Sequence, residues 1–130
     1  ASGGAAFISY ARWFSDNLGA SPDDDQFVVQ VSGNNGTTWQ NIDVVGPNGG
    51  AEQHGGWYLK TFSLPAAVLT TQFKVRFSVG DTGSGSVCDG GLDAVSIQSV
   101  SCFCPADYNQ DGFVDGIDYD LFNNDFANGC

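Results

Sequence analysis

The chain has 130 residues, enough for one domain with a full core and at most a small appendage. A hydrophobic fraction of 42%, with ten Phe, calls for a packed globule. Fifteen acidic residues against four basic ones give a net charge of −11, which excludes nucleic acid as a partner and disfavours anionic membrane surfaces.

Residues 1–100 fall into short period-2 segments separated by Gly, Asn, Asp and Pro clusters, with no convincing helix. They lie at 5–14, 26–32, 37–45, 56–64, 71–79 and 92–100. In the first, Phe7, Ile8, Tyr10, Trp13 and Phe14 are apolar at both parities, as suits a strand buried on both sides. An acidic loop follows, with Asp16 and Asn17, then Asp23, Asp24 and Asp25. Asp89 and Asp93 flank the last segment, so Asp16, Asp24, Asp25 and Asp93 are candidates for a second calcium site. The simpler reading is a solvated acidic loop.

The run 33–36 (Gly-Asn-Asn-Gly) joins two segments as a turn, with Asn and Gly supplying positive φ, and Asn35 heads an Asn-Gly-Thr sequon at its tip. Trp57 and Tyr58, near Trp39 and His54, are candidates for a sugar-stacking platform, while core packing is the simpler role for Trp13 and Trp39. Neighbours on a strand alternate, so one of Trp57 and Tyr58 should point outward. His54 is the one histidine, and no nucleophile, base and orienting group assemble around it. No enzyme activity is expected. The fifth segment shows the cleanest alternation, with Phe73, Val75, Phe77 and Val79 facing in and Lys74, Arg76 and Ser78 facing water. Six short strands in about 95 residues predict a mainly β fold, an antiparallel β-sandwich of the jelly-roll kind. It should span 1–100, with a smaller module at 101–130.

Four cysteines suggest an oxidising compartment. Cys102 and Cys104 flank one residue, so in an extended chain they point to opposite sides and serve different partners. Three connectivities are open; Cys88–Cys102 with Cys104–Cys130 is our choice. A zinc cluster lacks a Cys-x-x-Cys pair and a nearby His. The chain has no Met and starts Ala-Ser-Gly-Gly, as a secreted or cell-surface product does after its leader is removed. No apolar run approaches the ~20 residues of a membrane span.

The run 107–118 places oxygen donors at loop positions 1, 3, 5, 9 and 12: Asp107, Asn109, Asp111, Asp115 and Asp118. Gly112 stands at position 6, where the chain turns sharply, and Phe113 at position 7 would offer its carbonyl. A hard cation needs this alternation, which aims every second side chain into one concavity. A helix over 116–127 should follow. Ile117 and Leu121, then Phe122 and Phe126, form its apolar stripe, expected to dock on the rest of the protein.

With Asp118 where the general EF-hand has Glu, Asn109 at position 3 and Val114 at position 8, this loop resembles a dockerin calcium repeat. The resemblance implies bound Ca2+. Dockerins carry two such loops and this chain one, so cohesin binding is not carried over. Residues 5–98 resemble the MAM-type jelly rolls of secreted bacterial proteins. The likeness rests on Ile-Ser-Tyr-Ala-Arg-Trp-Phe-Ser, Phe-Val-Val-Gln-Val-Ser-Gly-Asn-Asn-Gly-Thr-Thr-Trp, Gly-Gly-Trp and Phe-Lys-Val-Arg-Phe. Such domains usually open with a further strand, and a sheet short of one invites another chain to add it. Residues Phe7, Ile8, Tyr10 and Trp13 are thus candidates for an assembly strand that enters a neighbour, a head-to-tail contact that builds a filament. The expectation is a non-enzymatic, secreted, calcium-binding structural subunit that forms a homo-polymer. The alternative is a carbohydrate- or protein-binding module of a larger secreted protein, with extracellular polysaccharide as a partner.

Overall fold

A computed structural model describes residues 5–82, 84–100 and 106–128. Six strands, β1 (Ala5–Gly19), β2 (Gln26–Ser32), β3 (Gln40–Val45), β4 (His54–Leu64), β5 (Lys74–Gly80) and β6 (Ser86–Val100), precede one helix, α1 (Gly116–Ala127). Short 3-10 turns at Ala51–Gln53 and Ala66–Val68 flank β4. The strands make two three-stranded antiparallel sheets, ordered β4-β1-β6 and β3-β2-β5. The described chain divides into two compact units, Ala6–Gln98 and the described residues from Ser99 on together with Ala5.

The core of the first unit lies between its sheets. Ile8, Tyr10 and Phe14 of β1 face Phe27, Val29 and Val31 of β2, all almost fully buried. Tyr10 meets Phe77 edge-on at 5.1 Å and Phe14 meets Phe27 at 6.0 Å, so aromatic rings bridge the layers. The result is β-sandwich-like. Each of these side chains contributes roughly 1.5–3 kcal/mol through burial.

Two sequence expectations need correction. β1 is buried on one face only: Ala6, Ile8, Tyr10, Arg12, Phe14 and Asp16 are buried, while Phe7 and Trp13 are half-exposed on the other face. It is also the middle strand of its own sheet, between β4 and β6. Along β4, Ile8 stands opposite Phe62, Tyr10 opposite Lys60 and Trp13 opposite Trp57. Finally, Trp39 is not a core residue; it sits half-buried beside the 33–36 turn under the Arg76 guanidinium, 4.1 Å above its ring. The turn itself has the anticipated positive φ at Asn35 and Gly36, and Ser32 Oγ ties it by accepting the Gly36 N–H at 2.9 Å. Asn35 is exposed at its tip.

Candidate metal centre

β1 runs on past its apolar stretch, so its inward face ends in Asp16, fully buried. The loop that follows turns back through Asp23, whose N–H donates to the Asp16 carbonyl at 2.7 Å and whose φ is +64. This return brings Asp24 and Asp25 beside Asp16, and one carboxylate oxygen of each lies within 4.8 Å of the others. Among the described residues this is the one group of three acidic, His or Cys side chains drawn so close. Asp25 is fully buried as well.

Asp25 organises one side of the site. Its N–H donates to Asp16 Oδ2 at 2.7 Å, and its carboxylate accepts the Thr82 N–H at 2.6 Å and the Ser86 hydroxyl at 2.8 Å. The β5–β6 connection is thereby tied to the end of β1. Asp16 Oδ1 and Asp24 Oδ1 are buried with no hydrogen-bond partner among the described residues. Neither carboxylate makes an ion pair with a described Lys, Arg or His. Burial, reinforced by the charges of Asp25, Asp24 and Asp23, holds the Asp16 carboxyl above the usual carboxylate range. Three neighbouring acids, two of them with a buried oxygen that no described residue meets, leave negative charge that something must balance. Oxygen-only donors fit a hard divalent cation such as calcium, which takes six to eight oxygens. Asp16, Asp24 and Asp25 would supply the carboxylates.

Asp93, expected in this group, does not join it. It is exposed on β6, and its Oδ1 accepts the N–H of Ala94, which has φ +53. Thr82 and Ser86 were missed by the sequence reading; the polar, Gly-rich run that starts at Asp81 was the available signal. Asp23 turns aside to His54, 3.0 Å from its Nε2.

Cys88 has no disulfide partner among the described residues and lies half-buried against the core. Burial first, then the charges of Asp25, Asp16 and Asp81, push its thiol up to about 11. The pairing proposed for it with Cys102 falls on residues outside those described, as do Cys104 and Cys130.

The loop at 107–118 has the turn the sequence implied, with Gly112 at φ +92. Its side chains cap its own backbone. Asp107 accepts the N–H groups of Asp111 and Gly112 at 3.1 and 3.0 Å, and Asn109 Oδ1 accepts that of Asp111 at 3.0 Å. Asp111 Oδ1 accepts the N–H of Phe113 at 2.9 Å. Asp118 is buried and accepts three N–H groups, from Tyr108 at 2.7 Å, Asn109 at 3.1 Å and Asp115 at 2.9 Å. Those bonds, led by the Asp115 N–H, hold its carboxyl below the usual range. Asp115 is the N-cap of α1, and Asp118 completes a reciprocal capping box. The donor set suits calcium, but its carboxylates are not drawn together as those of Asp16, Asp24 and Asp25 are. In α1, Phe122 stacks on Phe126 at 6.1 Å and meets Tyr108 edge-on, while Ile117, Leu121, Phe122 and Phe126 are exposed.

Trp57 and Tyr58 point to opposite faces of β4 and form no single platform. Trp57 is 59% exposed on the outer face, while the Tyr58 ring lies inward beneath Arg12 and Lys60, at 5.9 and 5.8 Å. Compared with protein-family models, curated proteins and solved structures, the chain matches none.

Proposed function

We propose that this chain is a non-enzymatic, secreted, calcium-stabilised structural protein of the jelly-roll kind, a subunit of an extracellular or cell-surface assembly. The observation that carries the calcium part is the carboxylate group of Asp16, Asp24 and Asp25, with two buried oxygens that have no partner among the described residues. A cation there joins the end of β1, the loop that follows it and, through Asp25, the β5–β6 connection. The loop at 107–118 is a second calcium site of the dockerin type, in which Asp107, Asn109, Asp111, Asp115, Asp118 and the Phe113 carbonyl close on the ion. A surplus of eleven negative charges fits surroundings rich in divalent cations.

Thermal unfolding in calcium and in a chelator tests this reading. A ligand that binds only the folded state at a hundred times its Kd stabilises by about 2.7 kcal/mol. The midpoint should therefore rise by several degrees in calcium, and Asp16→Asn should remove most of that gain. Equal midpoints with and without calcium would sink the reading.

A further inference from the structure

β3 and β4 are the edge strands of different sheets. A cleft of about 340 Å³, at the lower end of the ~300–1,000 Å³ common for small-ligand sites, is lined by residues of both, with Arg12, Asp43, Asn48, Gly50, Glu52 and Lys60 among them. It shares no residue with the carboxylate group around Asp16. Arg12 comes from β1 with only 1% of its side chain exposed. Its Nε donates to Asp43 Oδ2 at 2.8 Å and its Nη2 donates to Glu52 Oε2. Its third nitrogen, Nη1, is buried with no partner among the described residues. A buried donor on a charged group left in that state costs well over the ~1–3 kcal/mol of a neutral one.

The surroundings define what would satisfy it. Asp43 accepts both Arg12 Nε and the Tyr10 hydroxyl, at 2.8 and 2.9 Å, through the single oxygen Oδ2. Glu52 spends one oxygen on Arg12 and the other on Lys60, 2.7 Å away. Two positive charges are thus already matched by two negative ones. An anionic ligand would bring an unmatched charge against Asp43 and Glu52, and a cation would leave Nη1 without an acceptor. Asn48 Oδ1 is held by the Gly50 N–H at 2.9 Å, which fixes its amide at the cleft.

We propose that this cleft binds a neutral polyhydroxylated ligand, a single sugar unit or the end of a sugar chain. Arg12 Nη1 donates to one ring hydroxyl, Asp43 accepts from its neighbour, and Asn48 and Lys60 close the rim. The Tyr58 ring is already occupied by Arg12 and Lys60, so recognition is by hydrogen bonds rather than stacking.

The test is a titration of the full isotope-labelled chain with glucose, galactose, mannose, xylose and fucose in turn, and with glucuronate as the charged counterpart. The Arg12 Nε–H resonance and the backbone amides of 43–52 are followed. At least one neutral sugar should shift them saturably, and Asn48→Ala and Lys60→Gln, both at the rim, should each weaken binding about tenfold, the equivalent of 1.4 kcal/mol. Unchanged amide spectra elsewhere show that the variants fold. The proposal is overturned if no neutral sugar gives a saturable shift, if glucuronate binds more tightly than every neutral sugar, or if both variants bind as the parent does.

Discussion

Arg12 occupies an inward position of β1 between Tyr10 and Phe14, where an aliphatic residue would cost nothing to bury. The guanidinium is tolerated because Asp43 and Glu52 meet it there, and its stacking over Tyr58 covers part of its face. Removing one member of such a buried set strands the others, so Arg12→Ala should lower stability by about 3–5 kcal/mol in urea unfolding. A loss below 1 kcal/mol would show that the set is solvated. Glu52 carries the pH signature of the same group. Burial raises its carboxyl, but hydrogen bonds from Lys60 and Arg12 outweigh that and leave it below its ordinary 4.5. A carboxyl depressed on folding stabilises the protein above its unfolded value and loses that contribution as pH falls through the folded one. Wild-type stability should therefore decline more steeply below about pH 4.5 than that of Glu52→Gln, measured at matched ionic strength.

At the level of elements, alternation was legible where only one parity was apolar. Phe73, Val75 and Phe77 pack on the core while Lys74 and Arg76 face water, as period 2 implied, but Val79, expected to face in as well, is exposed. β1 defeated the same rule because Phe7 and Trp13 are as apolar as Ile8 and Tyr10; only the position of β2 decides which parity is buried. Two of the three metal-candidate acids are adjacent in the loop and were visible as such. Their convergence with Asp16 depends on how the loop turns back at Asp23, and the exclusion of Asp93 on how β6 is placed, where Ala94 with its positive φ interrupts any count along the strand. The 107–118 turn was readable because Gly112 and the spaced oxygens are local features. Local features also make the C-terminal unit separable in its response. Asp118→Ala removes acceptors for three backbone N–H groups and half of the capping box of α1. Losing a cap costs about 1 kcal/mol, and three N–H groups left without their acceptor add to it. Amide spectra should collapse for 106–128 while those of Ala6–Gln98 persist. Simultaneous loss of both sets would mean that the two units unfold together.

For the whole molecule, the proposed assembly must be reconciled with a net charge of −11, which repels copies of the chain at low ionic strength. Calcium bound at two sites would offset part of that charge. The placement of β1 changes how copies can join. Ile8 and Tyr10 fill the core of their own chain, so trimming residues 1–10 should unfold the sandwich rather than release a monomer with an open edge. Strand exchange therefore has to be a swap, in which a neighbour's β1 takes the same place between β4 and β6. The competing route is side contact through the outer face of β4, where Trp57 and Leu59 are 59% and 76% exposed. Electron microscopy in calcium and in a chelator, on the parent and on Leu59→Lys, separates these routes. Filaments that fray in the chelator tie the metal to assembly. If they persist in Leu59→Lys, the swap is the joint, because the change alters only an exposed side chain of β4 and leaves the core that β1 fills as it was; if they vanish there while the fold is intact, the joint is the outer face. Uniform monomers of the parent in both conditions would remove the polymer from the proposed function and leave a calcium-stabilised binding module.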